Sequence, residues 1–189
     1  MLTEENGLSQ TMIYKLISGG QYGADQAGLR VAMDLGLQTG GMVPKGWITK
    51  FGPKPQLSKL GLIEHPTSSK YVGRTGWNVK NSDATLRFAF NHDTAGEVCT
   101  YKAIKKYDKP YFDINLHDIR TFESLIVFDV VDFLYEHNVE VLNIAGNCGN
   151  TKAEAKVIYD ITRSALKSYV VAFNRVSQNP DVWFTEDIK

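Results

Sequence analysis

A glycine-rich turn near the start of the chain has the composition of an anion-binding loop. It reads Gly19-Gly20-Gln21-Tyr22-Gly23, and Asp25 follows closely. Glycine lets the backbone approach a ligand, and the N–H groups at a helix start favour an anion. The turn is neither a P-loop nor the G-x-G-x-x-G dinucleotide fingerprint. The alternative is a tight strand-to-helix turn without a ligand, in which Asp25 only complements the helix dipole.

A second candidate group lies on a short predicted helix. Arg74, Thr75 and Asn78 place a guanidinium, a hydroxyl and an amide within about one helical turn, and Arg74 and Asn78 share a face. Arginine is suited to bidentate contact with phosphate. The alternative is a surface ion pair, for example with Asp83, and the sequence leaves both interpretations open.

Two more segments combine glycine with a helix start: Thr94–Thr100, which contains Glu97, and Gly146–Thr151. The helix dipole favours the ionised form of Asp25 and Glu97, so we expect a lowered pKa for both carboxyl groups. Ionised carboxylates suit ligand recognition better than general acid catalysis near neutral pH. A helix start can also lower the pKa of Cys148, although an ordinary turn cysteine is the favoured interpretation.

Other catalytic or metal-binding patterns are absent from the sequence. The four histidines, His65, His92, His117 and His137, have no metal-ligand spacing, and two cysteines are too few for a thiolate zinc site. No Ser-His-Asp or Cys-His arrangement is legible. The sequence therefore predicts no metal site and favours binding without catalysis.

The elements that position these groups alternate between strand and helix. Such alternation predicts an α/β, Rossmann-like fold with a mostly parallel open sheet and helices on both faces. The loops that follow the strands then meet at the carboxyl edge of the sheet, where ligands bind. We expect the segment from 74 to 83 to reach that edge too, and 44–66 to form a long ordered loop. The predicted strands are 13–17, 37–43, 84–90, 110–114 and 139–145, and the predicted helices are 24–35, 71–79, 96–107, 119–137 and one starting at the capping box 151–154.

Length and charge define the class of protein. The 189 residues suit one domain, predicted over 12–173, with a flexible N-terminal arm over 1–11 and a C-terminal tail over 174–189. The 21 basic and 21 acidic residues balance, which argues against nucleic acid as a partner. The polar N-terminus is not a signal peptide, and no apolar run reaches membrane-spanning length. The predicted location is the cytoplasm, with no membrane partner.

The predicted helix over 119–137 is apolar nearly all round. Packing against a single core requires one apolar stripe along a helix. This helix has further apolar residues outside that stripe: Leu125, Val127, Phe128, Val130 and Val131. A helix of this kind is buried in a core or in an interface. The sequence therefore predicts a dimer or a larger homo-oligomer.

Several ordered motifs together resemble the putative molybdenum carrier family. That family belongs to the SLOG superfamily of Rossmann-like nucleotide-binding proteins and is related to the LONELY GUY phosphoribohydrolases and to the DNA-processing protein DprA. The resemblance spans about residues 13–170. It rests on Ser18 to Asp25, Pro44-Lys45-Gly46, Tyr71 with Arg74-Thr75 and Asn78-Val79, Ser82 to Leu86, Lys109-Pro110 and Leu142 to Gly146.

The resemblance implies a dimer or tetramer and a pocket for a small phosphorylated ligand, either molybdenum cofactor or a nucleotide derivative. We therefore expect a carrier or sensor protein. The alternatives are a nucleotide N-glycosidic-bond hydrolase that uses Asp25 or Glu97, and an interaction module with a vestigial pocket. The implied ligand-binding residues are Gly19, Gly20, Gln21, Gly23, Asp25, Arg74, Thr75, Asn78, Ser82, Asp83, Gly96, Thr100 and Gly146.

Overall fold

A six-stranded parallel sheet forms the centre of the molecule. The computed structural model describes residues 12–179, apart from the side chains of residues 120–124. The sheet order is β5-β2-β1-β8-β6-β7, and β3 and β4 form a separate two-residue antiparallel pair. In chain order, the strands are β1 (Lys15–Ser18), β2 (Gln38–Val43), β3 (Ile48–Thr49), β4 (Gly52–Pro53), β5 (Leu62–Glu64), β6 (Ala84–Ala89), β7 (Tyr111–Asn115) and β8 (Val141–Gly146).

Helices cover both faces of this sheet. One face carries α1, α4 and α5, with α5 in contact with both of the others, and the other face carries the contacting pair α2 and α3. Adjacent strand residues confirm the two layers, because Phe88 stacks on Tyr169 of α5 while Arg87 bonds to Glu97 of α3. The predicted Rossmann-like α/β fold is confirmed. The helices are α1 (Ala24–Asp34), α2 (Tyr71–Lys80), α3 (Ala95–Tyr107), α4 (Leu116–Glu136) and α5 (Lys152–Gln178), with a short 3-10 helix at Pro55–Leu60.

The main core lies between the sheet and the layer of α1, α4 and α5. Gly28 on α1 permits this packing, because a Cβ there would lie 2.7 Å from the Cβ of Ile144 on β8. A smaller cluster of Leu29, Val43, Leu57 and Leu62 anchors the segment over 44–66. That segment was expected to be a long ordered loop, and it contains β3, β4, the 3-10 helix and the edge strand β5.

The last helix is longer than the sequence predicted. The predicted tail starts at 174, whereas α5 continues through Gln178. The helix continues because its end is packed: Phe173 and Val176 are buried, and the Asn174 side chain bonds to the backbone N–H and C=O of Ile13 at 3.1 and 3.3 Å. The rest of the tail and the arm over 1–11 lie outside the described residues. In the described part of the chain, no helix is long and apolar enough to cross a bilayer.

Candidate ligand-binding site

A cavity of about 400 Å³ opens at the carboxyl edge of the sheet. It lies where β1 and β8 end and where α1, α2 and α3 present residues of their first turns, which is the usual ligand position in an open α/β sheet. The wall is built by Gln21, Asp25, Lys50, Tyr71, Arg74, Thr75, Ala95, Gly96, Glu97, Cys99, Thr100, Ala145, Gly146 and Cys148.

Arg74 lies flat against the glycine turn. A Cβ on Gly19 would be only 1.6 Å from Nη1 of Arg74, so the missing side chain makes room for the guanidinium. The same Nη1 lies 3.5 Å from Oδ2 of Asp25. That oxygen also accepts the N–H of Gln21 at 3.1 Å. Asp25 therefore holds both the turn and Arg74. The ion pair that the sequence left open as an alternative role of Arg74 forms with Asp25 inside the cavity and not with Asp83.

Glu97 is a buried carboxyl group with an unused oxygen. Its Oε1 accepts from Nδ2 of Asn147 at 3.3 Å, and its Oε2 has no hydrogen-bond partner among the groups that the structure describes. Burial raises the pKa of Glu97 to about 7; the charge of Arg87 opposes the rise, and those of Asp25 and Asp113 add to it. The group is therefore partly protonated near neutral pH, where an ordinary glutamate is ionised.

The predicted lowering of both carboxyl pKa values is wrong. Burial also raises the pKa of Asp25, although Arg74 and the N–H groups of Gln21 and Gly19 oppose that rise. Loss of hydration disfavours a charge more strongly than a helix start favours it when the side chain is 2% or 3% exposed, as for Asp25 and Glu97. Burial likewise raises the pKa of Cys148, so its thiol is not activated by the start of α5.

Arg87 fixes the start of α3 from behind the cavity. Its Nη1 donates to the backbone oxygen of Glu97 at 3.1 Å, and its Nε donates to Oδ1 of Asp113 at 2.6 Å. The guanidinium also lies about 5.5 Å from the ring centres of Tyr101 and Tyr111. Sequence reasoning missed Arg87, although an arginine inside the otherwise uncharged strand β6 is a signal for a buried partner.

Lys50 is the second cation of the wall, and sequence reasoning missed it too. Its Nζ donates to the backbone oxygen of Gly149 at 2.7 Å and to Oδ1 of Asn150 at 3.0 Å. The side chain of Gln21 fixes this turn, because it donates to the oxygen of Ile48 at 3.1 Å and accepts the N–H of Lys50 at 3.0 Å. The β3–β4 pair thus closes the cavity from a distant part of the sequence.

The structure brings part of the predicted set together. The predicted residues that line the cavity are Gln21, Asp25, Arg74, Thr75, Gly96, Thr100 and Gly146. Gly19 lies beneath Arg74, and two other glycines have packing roles. Gly20 has φ +72°, and a Cβ there would lie 2.8 Å from Leu57 in the small core. Gly23 has φ +79°, and a Cβ there would lie 2.4 Å from the backbone oxygen of Asn147.

Three predicted residues lie elsewhere. The side-chain amide of Asn78 is hydrogen-bonded to the backbone of β2. It accepts the N–H of Met42 at 2.7 Å and donates to the oxygen of Met42 at 3.1 Å. Ser82 donates to the oxygen of Val79. Asp83 precedes β6 and accepts the N–H of Val141 at 2.7 Å, at the amino edge of the sheet. The expectation that this end of the 74–83 segment reaches the carboxyl edge is therefore wrong.

These observations define the class of the protein: a Rossmann-like domain with a cavity at the carboxyl ends of the strands, lined by charged groups as well as apolar ones. Residues 16–170 match the model of the circularly permutated YpsA SLOG family, and the chain belongs to that family. A crystal structure of a putative molybdenum carrier protein from Syntrophus aciditrophicus SB is similar, with a TM-score of 0.74 and 34% sequence identity. The match covers 84% of this chain and 96% of that chain. A comparison with curated proteins finds no match.

Proposed function

We propose that this protein is a binding protein, either a carrier or a sensor, for a small phosphorylated ligand held in the cavity. The observation that carries the proposal is the meeting of Arg74, Lys50 and the start of α3 in one wall. Guanidinium and ammonium groups and the N–H groups of a helix start all favour an anion.

The start of α3 is open to such a ligand. Its N-cap residue, Thr94, makes no side-chain cap hydrogen bond. A Cβ placed on Gly96 would meet no atom within 4 Å, so the backbone there faces open space. Phosphate oxygens are suitable acceptors for helix N–H groups that no side chain caps.

The charge of the wall also fits an anion. The wall contains two cations, Arg74 and Lys50, and two carboxyl groups, Asp25 and Glu97. Burial raises the pKa of Glu97 to about 7, so this carboxyl group adds less than a full negative charge to the wall near neutral pH. The similar crystal structure is that of a putative molybdenum carrier protein, which supports a molybdenum-cofactor-like ligand. A nucleotide-derived ligand is the other form of the same proposal.

Native mass spectrometry of freshly purified protein identifies a retained ligand by its mass. Calorimetry with that ligand then tests the site. We expect Arg74→Ala to weaken binding about 10- to 100-fold, because a hydrogen bond to a charged group contributes about 1.5–3 kcal/mol. Arg30→Ala is the matched control, since Arg30 lies on α1 and pairs with Asp34 outside the cavity. Wild-type affinity in the Arg74 variant would contradict the proposed site.

A second candidate, a nucleotide N-glycosidic-bond hydrolase, is favoured by Glu97. A carboxyl group with a pKa of about 7 suits general acid or base catalysis near neutral pH. Incubation with nucleoside phosphates and dinucleotides, followed by chromatography, distinguishes the two candidates. Release of a free base that disappears in Glu97→Gln or Asp25→Asn would establish the hydrolase, whereas recovery of every compound intact would exclude it for that panel.

A further inference from the structure

A groove of about 560 Å³ runs between α2 and α3 and adjoins the cavity. The two spaces share Ala95 and Cys99 as lining residues. The cavity and the groove therefore lie next to each other along α3. The other lining residues are Val72, Gly73, Gly76, Val98, Lys102, Ala103, Lys106 and Tyr107.

The residues that α3 contributes to the groove and to its boundary with the cavity lie in one stripe. Ala95, Cys99, Lys102, Ala103 and Lys106 follow helical spacing, so they lie on one face. At a rise of 1.5 Å per residue, Lys102 lies about 10 Å and Lys106 about 16 Å along the axis from Ala95. The small side chains keep the floor open near the cavity, and the two lysines lie further along it.

The groove is positively charged. Lys102 and Lys106 are exposed, and no carboxyl group is among its lining residues. Within the described side chains, neither lysine takes part in an ion pair. Lys106 lies 5.3 Å from the ring centre of Tyr107, a half-buried aromatic side chain that lies next to Gly76 across the groove. An anion with an attached flat or apolar part matches this lining.

We propose that the groove binds the distal half of an extended ligand whose proximal phosphorylated half lies in the cavity. The ligand class is a two-part anion, with a second phosphate about 10–16 Å along α3 from the first. This inference rests on the proposed function, because the proximal half requires the site around Arg74.

Matched probes test the groove by calorimetry. Nicotinamide mononucleotide and 4′-phosphopantetheine serve as proximal halves alone. Two pairs of longer probes differ only in a phosphate on the adenosine, which is the far half: NADP against NAD, and coenzyme A against 3′-dephospho-coenzyme A. We expect this distal phosphate to tighten binding about tenfold in at least one pair. The double variant Lys102→Gln/Lys106→Gln should remove that gain and leave binding of the proximal halves unchanged. Lys105→Gln should change neither, because Lys105 lies over the rings of Tyr101 and Tyr111.

A thiol introduced at Val72 gives an independent readout. Val72 lines the groove and is 68% exposed, whereas Cys148 lines only the cavity. The longer probes should slow iodoacetamide labelling at both positions in Val72→Cys, and the proximal halves alone should slow it only at Cys148. If the distal phosphate has no effect on affinity while the proximal halves bind in a way that requires Arg74, the groove proposal is overturned and the proposed function stands. Failure of every probe to bind in an Arg74-dependent way would overturn both.

Discussion

Replacement of Glu97 by glutamine tests the electrostatics of the cavity directly. Glu97 is 3% exposed, and burial raises its pKa from 4.5 to about 7. Glutamine has the same shape, keeps an oxygen for Asn147 and never ionises. The variant therefore removes the cost of a buried charge without creating a cavity.

The magnitude follows from the two pKa values. Their difference corresponds to about 3 kcal/mol between the protonated and ionised forms of Glu97 in the folded protein. Below pH 4.5, both the folded and the unfolded chain hold the proton, so there is no cost. Between pH 4.5 and about 7, the unfolded chain releases the proton first, and the free energy of unfolding of the wild type falls. Above pH 7, the full cost is present.

We expect Glu97→Gln to match the wild type in stability near pH 4 and to exceed it by up to about 3 kcal/mol at pH 8. Urea denaturation at half-unit pH steps measures the difference in unfolding free energy. Glu136→Gln is the control, because Glu136 is exposed at the end of α4 and its replacement should change stability little at any pH. A difference between wild type and Glu97→Gln that stays constant from pH 5 to 8, or that shrinks as the pH rises, would refute this account.

Three further predictions concern the glycine turn, the last helix and the assembly. Gly19→Ala should displace the guanidinium of Arg74, because the new Cβ would lie 1.6 Å from Nη1; calorimetry should show a loss of ligand affinity close to that of Arg74→Ala, and wild-type affinity would contradict the arrangement. Thr151→Ala should lower the free energy of unfolding by about 1 kcal/mol in urea, since the Thr151 hydroxyl caps α5; an unchanged midpoint would contradict that role. Leu125 and Phe128 remain 61% and 36% exposed on α4, so light scattering should give a mass above the 21.2 kDa of one chain; a monomer at micromolar concentration would exclude the predicted oligomer.

The fold could be predicted because its local signals agree with one another. The glycine turn before α1 and the apolar spacing within α1 specify a strand-to-helix connection. At the start of α5, Thr151 accepts the N–H of Glu154 at 3.1 Å, as the capping box predicts. The returning bond goes to the N–H of Asn150 instead, which the motif alone does not specify. A local sequence predicts structure well when its turn residues, its helix cap and the spacing of its apolar residues all indicate the same element.

The site was harder to predict because its geometry depends on tertiary packing. Asp83 follows a helix and precedes a strand, and in a parallel sheet such a connection lies at the amino edge. That rule was available from the sequence and would have excluded Asp83. Lys50 carried no comparable signal, since its position depends on how Leu57 and Leu62 anchor the segment over 44–66. The pKa of Glu97 also depends on burial that no spacing reveals.

The two carboxyl groups of the cavity have different roles, and this difference decides between binding and catalysis. Asp25 already accepts the N–H of Gln21 and lies beside Arg74, so its structural task is to hold the turn. Glu97 keeps one oxygen without a partner among the described residues and a pKa of about 7. In a binding protein, Glu97→Gln removes a negative charge near a phosphate, so the affinity for the ligand should rise or stay unchanged. In a hydrolase, the same change removes the group that exchanges a proton with the substrate, so turnover should disappear while the fold becomes more stable. A single variant, measured for stability, affinity and turnover, therefore separates the two functions.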